Sequence, residues 1–235
     1  MLYQIVLVSI SKEGHMSFEP LAPMATPLSR TGHVVESLRK SILSGALRAG
    51  QPLVESELAA SFGVSKTPVR EALKTLAGLG LVTMMEYRGA VVRSVDYEMA
   101  RAVFEVRCLL EPEAVRLAVG NGIDLTAAQH ALERSEAAKD SAERSIANRD
   151  FHRLTYASCG NPLLLSMLDD LRDQTALISV TAWQNGITWV HEAHEHVAIL
   201  EAAARGDAEE AKHLVDLHIR RFTEHALTLL EEHHA

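Results

Sequence analysis

Two groups of residues in this chain have types and spacings that can do chemistry. The first is three histidines, His152, His196 and His218. His152 lies among Ala147, Phe151 and Leu154, with Asn148 four residues earlier, so Asn148 and His152 project from one helical face. His196 sits beside the apolar positions Val190, Ala193, Val197, Leu200 and Ala204, and His218 falls between Val215 and Phe222. A histidine at the edge of an apolar stripe points inward, and three of them on three helices can converge on one metal ion. The plainer alternative is a set of hydrogen-bonded core histidines. The run His191-Glu192-Ala193-His194-Glu195-His196 fits neither H-E-x-x-H nor H-x-x-E-H, so it is not a zinc-protease motif. His191, His194, His213 and His225 read as surface residues. The second group is Ser65, Lys66, Thr67 and Arg70, short hydroxyls and cations that can reach phosphates and base edges from the first turns of a helix.

The elements that must position the second group are legible. Val34, Val35, Leu38, Ile42 and Leu43 recur at helical spacing within residues 31–47. Leu58, Ala59 and Phe62 give a two-turn helix over Glu55–Phe62, Gly63 makes the turn, and Val69, Ala72, Leu73, Leu76 and Leu79 stripe the next helix. Ser65 is a favourable N-cap and Pro68 falls in the first turn, where it costs no internal hydrogen bond. Leu81–Met85 and Ala90–Val92 read as two strands around Glu86-Tyr87-Arg88-Gly89. The pattern is a winged helix-turn-helix with Arg88 at the wing tip, placed for a minor groove. A small helical bundle with a hairpin and no nucleic-acid role has the same pattern.

The histidines need a different scaffold. From Asp96 onward there is no convincing strand, and six amphipathic segments suggest an antiparallel bundle. They are residues 96–120 (with Pro112 inside), 124–140, 141–158, 162–181, 188–205 and 207–232. The fold class is therefore mainly α: an N-terminal winged helix-turn-helix plus a C-terminal all-α antiparallel bundle of about six helices.

Composition is consistent with this division. At 235 residues the chain suffices for two ordinary domains, and 47% hydrophobic residues exclude disorder. The net charge of −8 is unevenly spread: residues 26–95 carry +4 and residues 96–235 carry −11. A basic unit joined to an acidic one hints at an anionic partner such as nucleic acid. Cys108 and Cys159 make neither a disulfide framework nor a cysteine metal motif, which fits a reducing, cytoplasmic setting. No apolar run approaches the roughly 20 residues of a membrane span, and the N-terminus lacks the marks of a signal peptide. Residues 1–25, with Gly14-His15-Met16 and two of the three prolines Pro20, Pro23 and Pro27, read as a disordered or cloning-derived leader. The expected division is 1–25 leader, 26–95 winged helix-turn-helix domain and 96–235 helical domain.

Residues 34–92 resemble the DNA-binding domain of the GntR family of bacterial transcription regulators. The resemblance lies in Ile42-Leu43-Ser44-Gly45-Ala46-Leu47-Arg48-Ala49-Gly50, in Gly63-Val64-Ser65-Lys66-Thr67-Pro68-Val69-Arg70-Glu71-Ala72-Leu73, in Gly80-Leu81-Val82 and in Arg88-Gly89-Ala90-Val91-Val92. It implies a double-stranded DNA operator held by Ser65, Lys66, Thr67, Arg70, Arg88 and Gly89. Lys66 stands where the family commonly has Arg; it keeps the charge and loses the fork that reads guanine.

Residues 96–230 resemble the effector-binding FCD domain of the FadR subfamily of the same family. The matching pieces are Glu105-Val106-Arg107 with Glu111, Phe151-His152 with Gly160-Asn161, and His196-Val197-Ala198-Ile199-Leu200 with Gly206-Asp207 and His218. This resemblance implies a divalent metal, zinc or nickel, on Asn148, His152, His196 and His218, with Asn148 in place of the family's usual Asp. It also implies a homodimer, a small organic acid effector and a repressor's role, with no membrane and no catalysis. Arg107 would clamp the acid's far end; alternatively it forms an internal salt bridge to Glu111 or another carboxylate. Two other readings stay open: a constitutive DNA-binding dimer without metal, and a three-His metal-dependent hydrolase.

Overall fold

A computed structural model describes residues 9–10, 16–17, 29–86, 89–184 and 189–232. It is mainly helical, a winged helix-turn-helix followed by a helical bundle, as the periodicity predicts. Strands β1 (Ser9–Ile10) and β2 (Met16–Ser17) pair antiparallel near the N-terminus. Helix α1 (Arg30–Leu43) starts one residue earlier than the apolar stripe suggests, because the Ser29 hydroxyl accepts from the Gly32 amide. Strand β3 (Pro52–Leu53) leads into α2 (Glu55–Phe62), which ends at Gly63 with φ 63°. Helix α3 (Lys66–Gly78) follows, then β4 (Val82–Met85) and β5 (Gly89–Val92). The winged sheet has the order β3-β5-β4, all antiparallel. The sequence reading did not identify β3, since two residues carry no alternation to detect.

Gly89 is where the wing meets β3. Its φ is +84°, and a Cβ there would stand 2.7 Å from the Leu53 carbonyl oxygen. Gly89→Ala is expected to destabilise the winged domain by about 1–3 kcal/mol through a strained φ and that clash. Thermal melts followed by circular dichroism check this; an unchanged midpoint would refute it.

The bundle comprises α4 (Tyr97–Gly120), α5 (Thr126–Ala137), α6 (Ser141–Tyr156), α7 (Pro162–Gln184), α8 (Trp189–Ala204) and α9 (Ala208–Glu232). Helix α4 opens on Asp96, whose carboxylate accepts from the Met99 amide, and it runs on through Pro112. Its buried face, including Val103, Phe104, Ala114 and Val115, packs on Val215, Ile219 and Phe222 of α9. Helix α8 departs from the expected stripe. Its buried face is Glu192, His196, Ile199, Ala202 and Ala203, whereas Val190 and Val197 are exposed. Polar residues occupy the inner face, so hydrophobicity alone points to the wrong side.

The core of the head takes in residues of the bundle. Met99, Ala176 and Leu177 join the apolar cluster built from α1, α3 and the winged sheet. No helix among the described residues is long and apolar enough to cross a membrane.

Candidate nucleic-acid interface and metal centre

On α3, Val69, Ala72, Leu73 and Leu76 are fully buried, and this fixes the opposite face outward. Ser65, Lys66, Thr67 and Arg70 are all exposed there. Ser65 occupies the N-cap position, as expected, but its side chain makes no capping hydrogen bond. The first-turn N–H groups are thus left uncapped by that hydroxyl, at the positive end of the helix dipole. Arg70 is held by Glu55 of α2: its Nε donates to Oε1 at 2.9 Å and its Nη2 to Oε2 at 2.7 Å. That guanidinium lowers the Glu55 pKa, outweighing the slight burial of the carboxyl. A cleft of about 450 Å³ lies between α3 and the sheet, lined among others by Lys66, Arg70, Lys74, Met84 and Gly89. Gly89 is at the base of the wing, half-buried. Arg88 lies outside the described residues.

In the bundle, α6, α8 and α9 bring His152, His196 and His218 together, all buried, with one ring nitrogen from each within 4.8 Å of the others. Nε2 of His196 and Nε2 of His218 face each other at 3.2 Å. Carboxylates orient two of the rings. Nδ1 of His152 stands 2.8 Å from Oε1 of Glu111, and Nδ1 of His218 stands 2.8 Å from Oε2 of Glu195. A carboxylate only accepts, so these Nδ1 atoms carry protons, which leaves Nε2 as the ligand atom each of the two rings can offer. Among the buried atoms without a hydrogen-bond partner are Oδ1 of Asn148, one turn before His152 on α6, and Nδ1 of His196.

The electrostatics favour ligand-ready rings. Burial lowers the His152 pKa to about 4 despite the neighbouring Glu111. Burial, with His218 and His152 close by, also holds His196 well below the usual imidazole value. Both are therefore neutral at pH 7, the form that binds metal. Glu111 is fully buried, which by itself would raise its pKa; Arg107 and His152 outweigh that and hold it at about 2. Arg107 donates to Oε2 of Glu111 from Nε at 2.8 Å and approaches it from Nη2 at 2.7 Å. Of the two sequence readings of Arg107, the internal salt bridge is the one formed.

Glu111 and Glu195 were not assigned as partners of the histidines from sequence. Glu111 follows Arg107 by one helical turn, so their pairing is legible, but its bond to His152 spans 41 positions. Glu195 looks like part of an exposed His-Glu run, yet it reaches across to α9. Glu192, one turn before His196, is buried too; burial raises its pKa to about 7 although it accepts from Nε1 of Trp183 at 2.6 Å. His191, His194, His213 and His225 are exposed, as expected.

Three buried imidazoles, two of them oriented by carboxylates, with an orphaned amide oxygen one turn from His152 on α6, make a donor set suited to a borderline divalent cation.

Comparison with known proteins places both halves. Residues 30–92 match the model of the bacterial regulatory proteins of the gntR family, and residues 102–221 match the FCD domain. The chain belongs to the GntR family. It is 31% identical over 186 residues to a protein of Paenarthrobacter nicotinovorans named "Probable D-xylose utilization operon transcriptional repressor", covering 77% of this chain and 81% of that one. It is 28% identical over 201 residues to "Uncharacterized HTH-type transcriptional regulator YdhC" of Bacillus subtilis, covering 83% and 90%. The structure of E. coli McbR/YncC shares the fold, with a TM-score of 0.73 at 24% identity over 89% of this chain and 100% of that one. GntR-family proteins are DNA-binding transcription regulators rather than enzymes, which removes the hydrolase reading. An FCD domain implies a small-molecule effector.

Proposed function

We propose that this GntR-family regulator is a repressor whose hold on its operator responds to a small organic acid at a bound divalent cation. The three-histidine cluster carries the reading: buried imidazoles with one ring nitrogen of each within 4.8 Å of the others, and carboxylates fixing two of the rings. His152, His196 and His218 would hold the ion, zinc or nickel, with Oδ1 of Asn148 as a neutral fourth donor. When bound, the cation supplies a Lewis-acidic centre with open positions for a carboxylate. Arg107 serves the site through Glu111; it becomes an anchor for the acid only by exchanging Glu111 for it. In this reading the DNA head is residues 26–95 and the effector half residues 96–235. Two chains form a dimer that places Ser65, Lys66, Thr67, Arg70, Arg88 and Gly89 of each head on adjacent half-sites.

His196→Ala tests the site. Wild-type protein dialysed against zinc should retain one ion per chain by elemental mass spectrometry, and the variant less than about a tenth of that. Zinc should raise the melting temperature of the wild type and not of the variant. Equal metal content in both would defeat the assignment and favour a constitutive DNA-binding dimer.

A further inference from the structure

The helix that carries Asn148 and His152 is tied by its other side to the DNA-binding head. Arg149, next to Asn148 on α6, donates from Nη1 to Oδ1 of Asp173 at 3.0 Å. The second oxygen of Asp173 accepts from Nη1 of Arg39, on α1, at 3.4 Å. Asp173 is 3% exposed, and the Arg149 side chain is nearly as buried. Arg39 also pairs with Glu36 at 3.0 Å, and Arg149 with Asp150 at 3.5 Å. One buried carboxylate thus joins two arginines that lie 110 positions apart in the chain, one on each half of the molecule.

The residues after Asp173 reinforce the joint. The turn at Gly80, just beyond α3, packs so closely on Gln174 that a Cβ there would stand 2.7 Å from its side chain. Ala176 and Leu177 are buried in the head's own apolar cluster. Residues 173–177 of α7 are therefore, with Met99 of α4, a part of the bundle packed on the head, and α6 is joined to them through Arg149. Buried charges are costly unless paired, so a shift of α6 that moves Arg149 favours a compensating move of Asp173 and Arg39.

We propose that Asp173 is the positioning residue that couples the cluster-bearing helix α6 to the DNA-binding head, through the chain Arg149–Asp173–Arg39. This inference rests on the metal reading above. It names a physical connection and so requires a coupling measurement, not proximity alone.

Arg39→Gln is the gentler variant, because Arg39 is the longer and more exposed of the two contacts; Asp173→Asn is the stronger one. Operator affinity of the full chain is measured by fluorescence anisotropy with zinc and with chelator, using a fragment selected from random duplexes by the wild type. Zinc content and melting temperature are read on the same samples. The wild type should show a zinc-dependent change in affinity of roughly tenfold. Arg39→Gln should still bind one zinc and the fragment, with the zinc-dependent change reduced to less than about twofold. Asp173→Asn should lose the response as fully, whether or not its melting temperature falls. A response of wild-type size in a folded Arg39→Gln that binds zinc overturns the relay and leaves the metal reading standing. A wild type that binds no zinc overturns both. A wild type that binds zinc with no change in affinity overturns the relay and keeps the metal site.

Discussion

Glu111→Gln is expected to destabilise the helical domain by about 3–5 kcal/mol, because it leaves Arg107 buried without a counter-charge. In a protein of this size that lowers the melting temperature on the order of 10 °C. The carboxylate serves two partners at once, Arg107 at 2.7–2.8 Å and His152 at 2.8 Å. Its loss should therefore also weaken metal binding, by about 10- to 100-fold, since a glutamine has one acceptor oxygen for two donors, and where Arg107 takes it the amide N–H meets His152 and disfavours its Nδ1-protonated form. The two effects can be separated. Arg107→Met combined with Glu111→Leu removes both charges and fills similar volume, so stability should largely recover. Zinc affinity should not recover, because His152 still lacks its acceptor. Melts by circular dichroism and zinc titration by calorimetry check both arms. A double variant with wild-type zinc affinity would show that Glu111 acts only as the partner of Arg107.

Arg70→Ala should lower operator affinity by about 10- to 100-fold. The loss should be larger on the selected operator than on an unrelated duplex, because Arg70 projects from the recognition helix and not from the periphery. Glu55 sharpens the prediction. In the DNA-free structure it holds the guanidinium by a two-point contact, so Arg70 must exchange Glu55 for a phosphate or a base. Glu55→Gln removes that competitor and one negative charge from the interface, and should bind the operator as tightly as wild type or more tightly. A parallel loss in Arg70→Ala and Glu55→Gln would mean that the pair is a structural clamp between α2 and α3. Anisotropy titrations over a range of salt concentrations decide between these outcomes.

The outlines of the head were legible because its apolar stripes coincide with its buried faces. The stripe Val69, Ala72, Leu73 and Leu76 is the inner face of α3, and that assignment alone turns Lys66 and Arg70 outward. The six bundle helices were legible for the same reason, within a few residues at their ends. The inner face of α8 was not. Its inner face holds Glu192 and His196, so the apolar positions Val190 and Val197 were left outside. Hydrophobic patterning fails where a fold buries polar groups. The three histidines were recognisable as inward residues; the carboxylates that orient two of them were not, since those bonds cross between helices. The bond between Arg39 and Asp173 spans 134 positions and carries no periodic signal at all. Arg107 shows the limit from the other side: its i,i+4 relation to Glu111 was visible, but only burial reveals that the pair stabilises the histidine cluster instead of standing open to solvent.

In the proposed function, the DNA-reading head answers to the state of a buried histidine cluster in the other half of the chain. Nuclease footprinting on promoter fragments from the source organism, run with zinc and with chelator, tests it most directly. A protected pair of half-sites is expected, with a half-maximal protein concentration that shifts severalfold between the two conditions. Protection at the same concentration in both, with zinc bound in one, would contradict it.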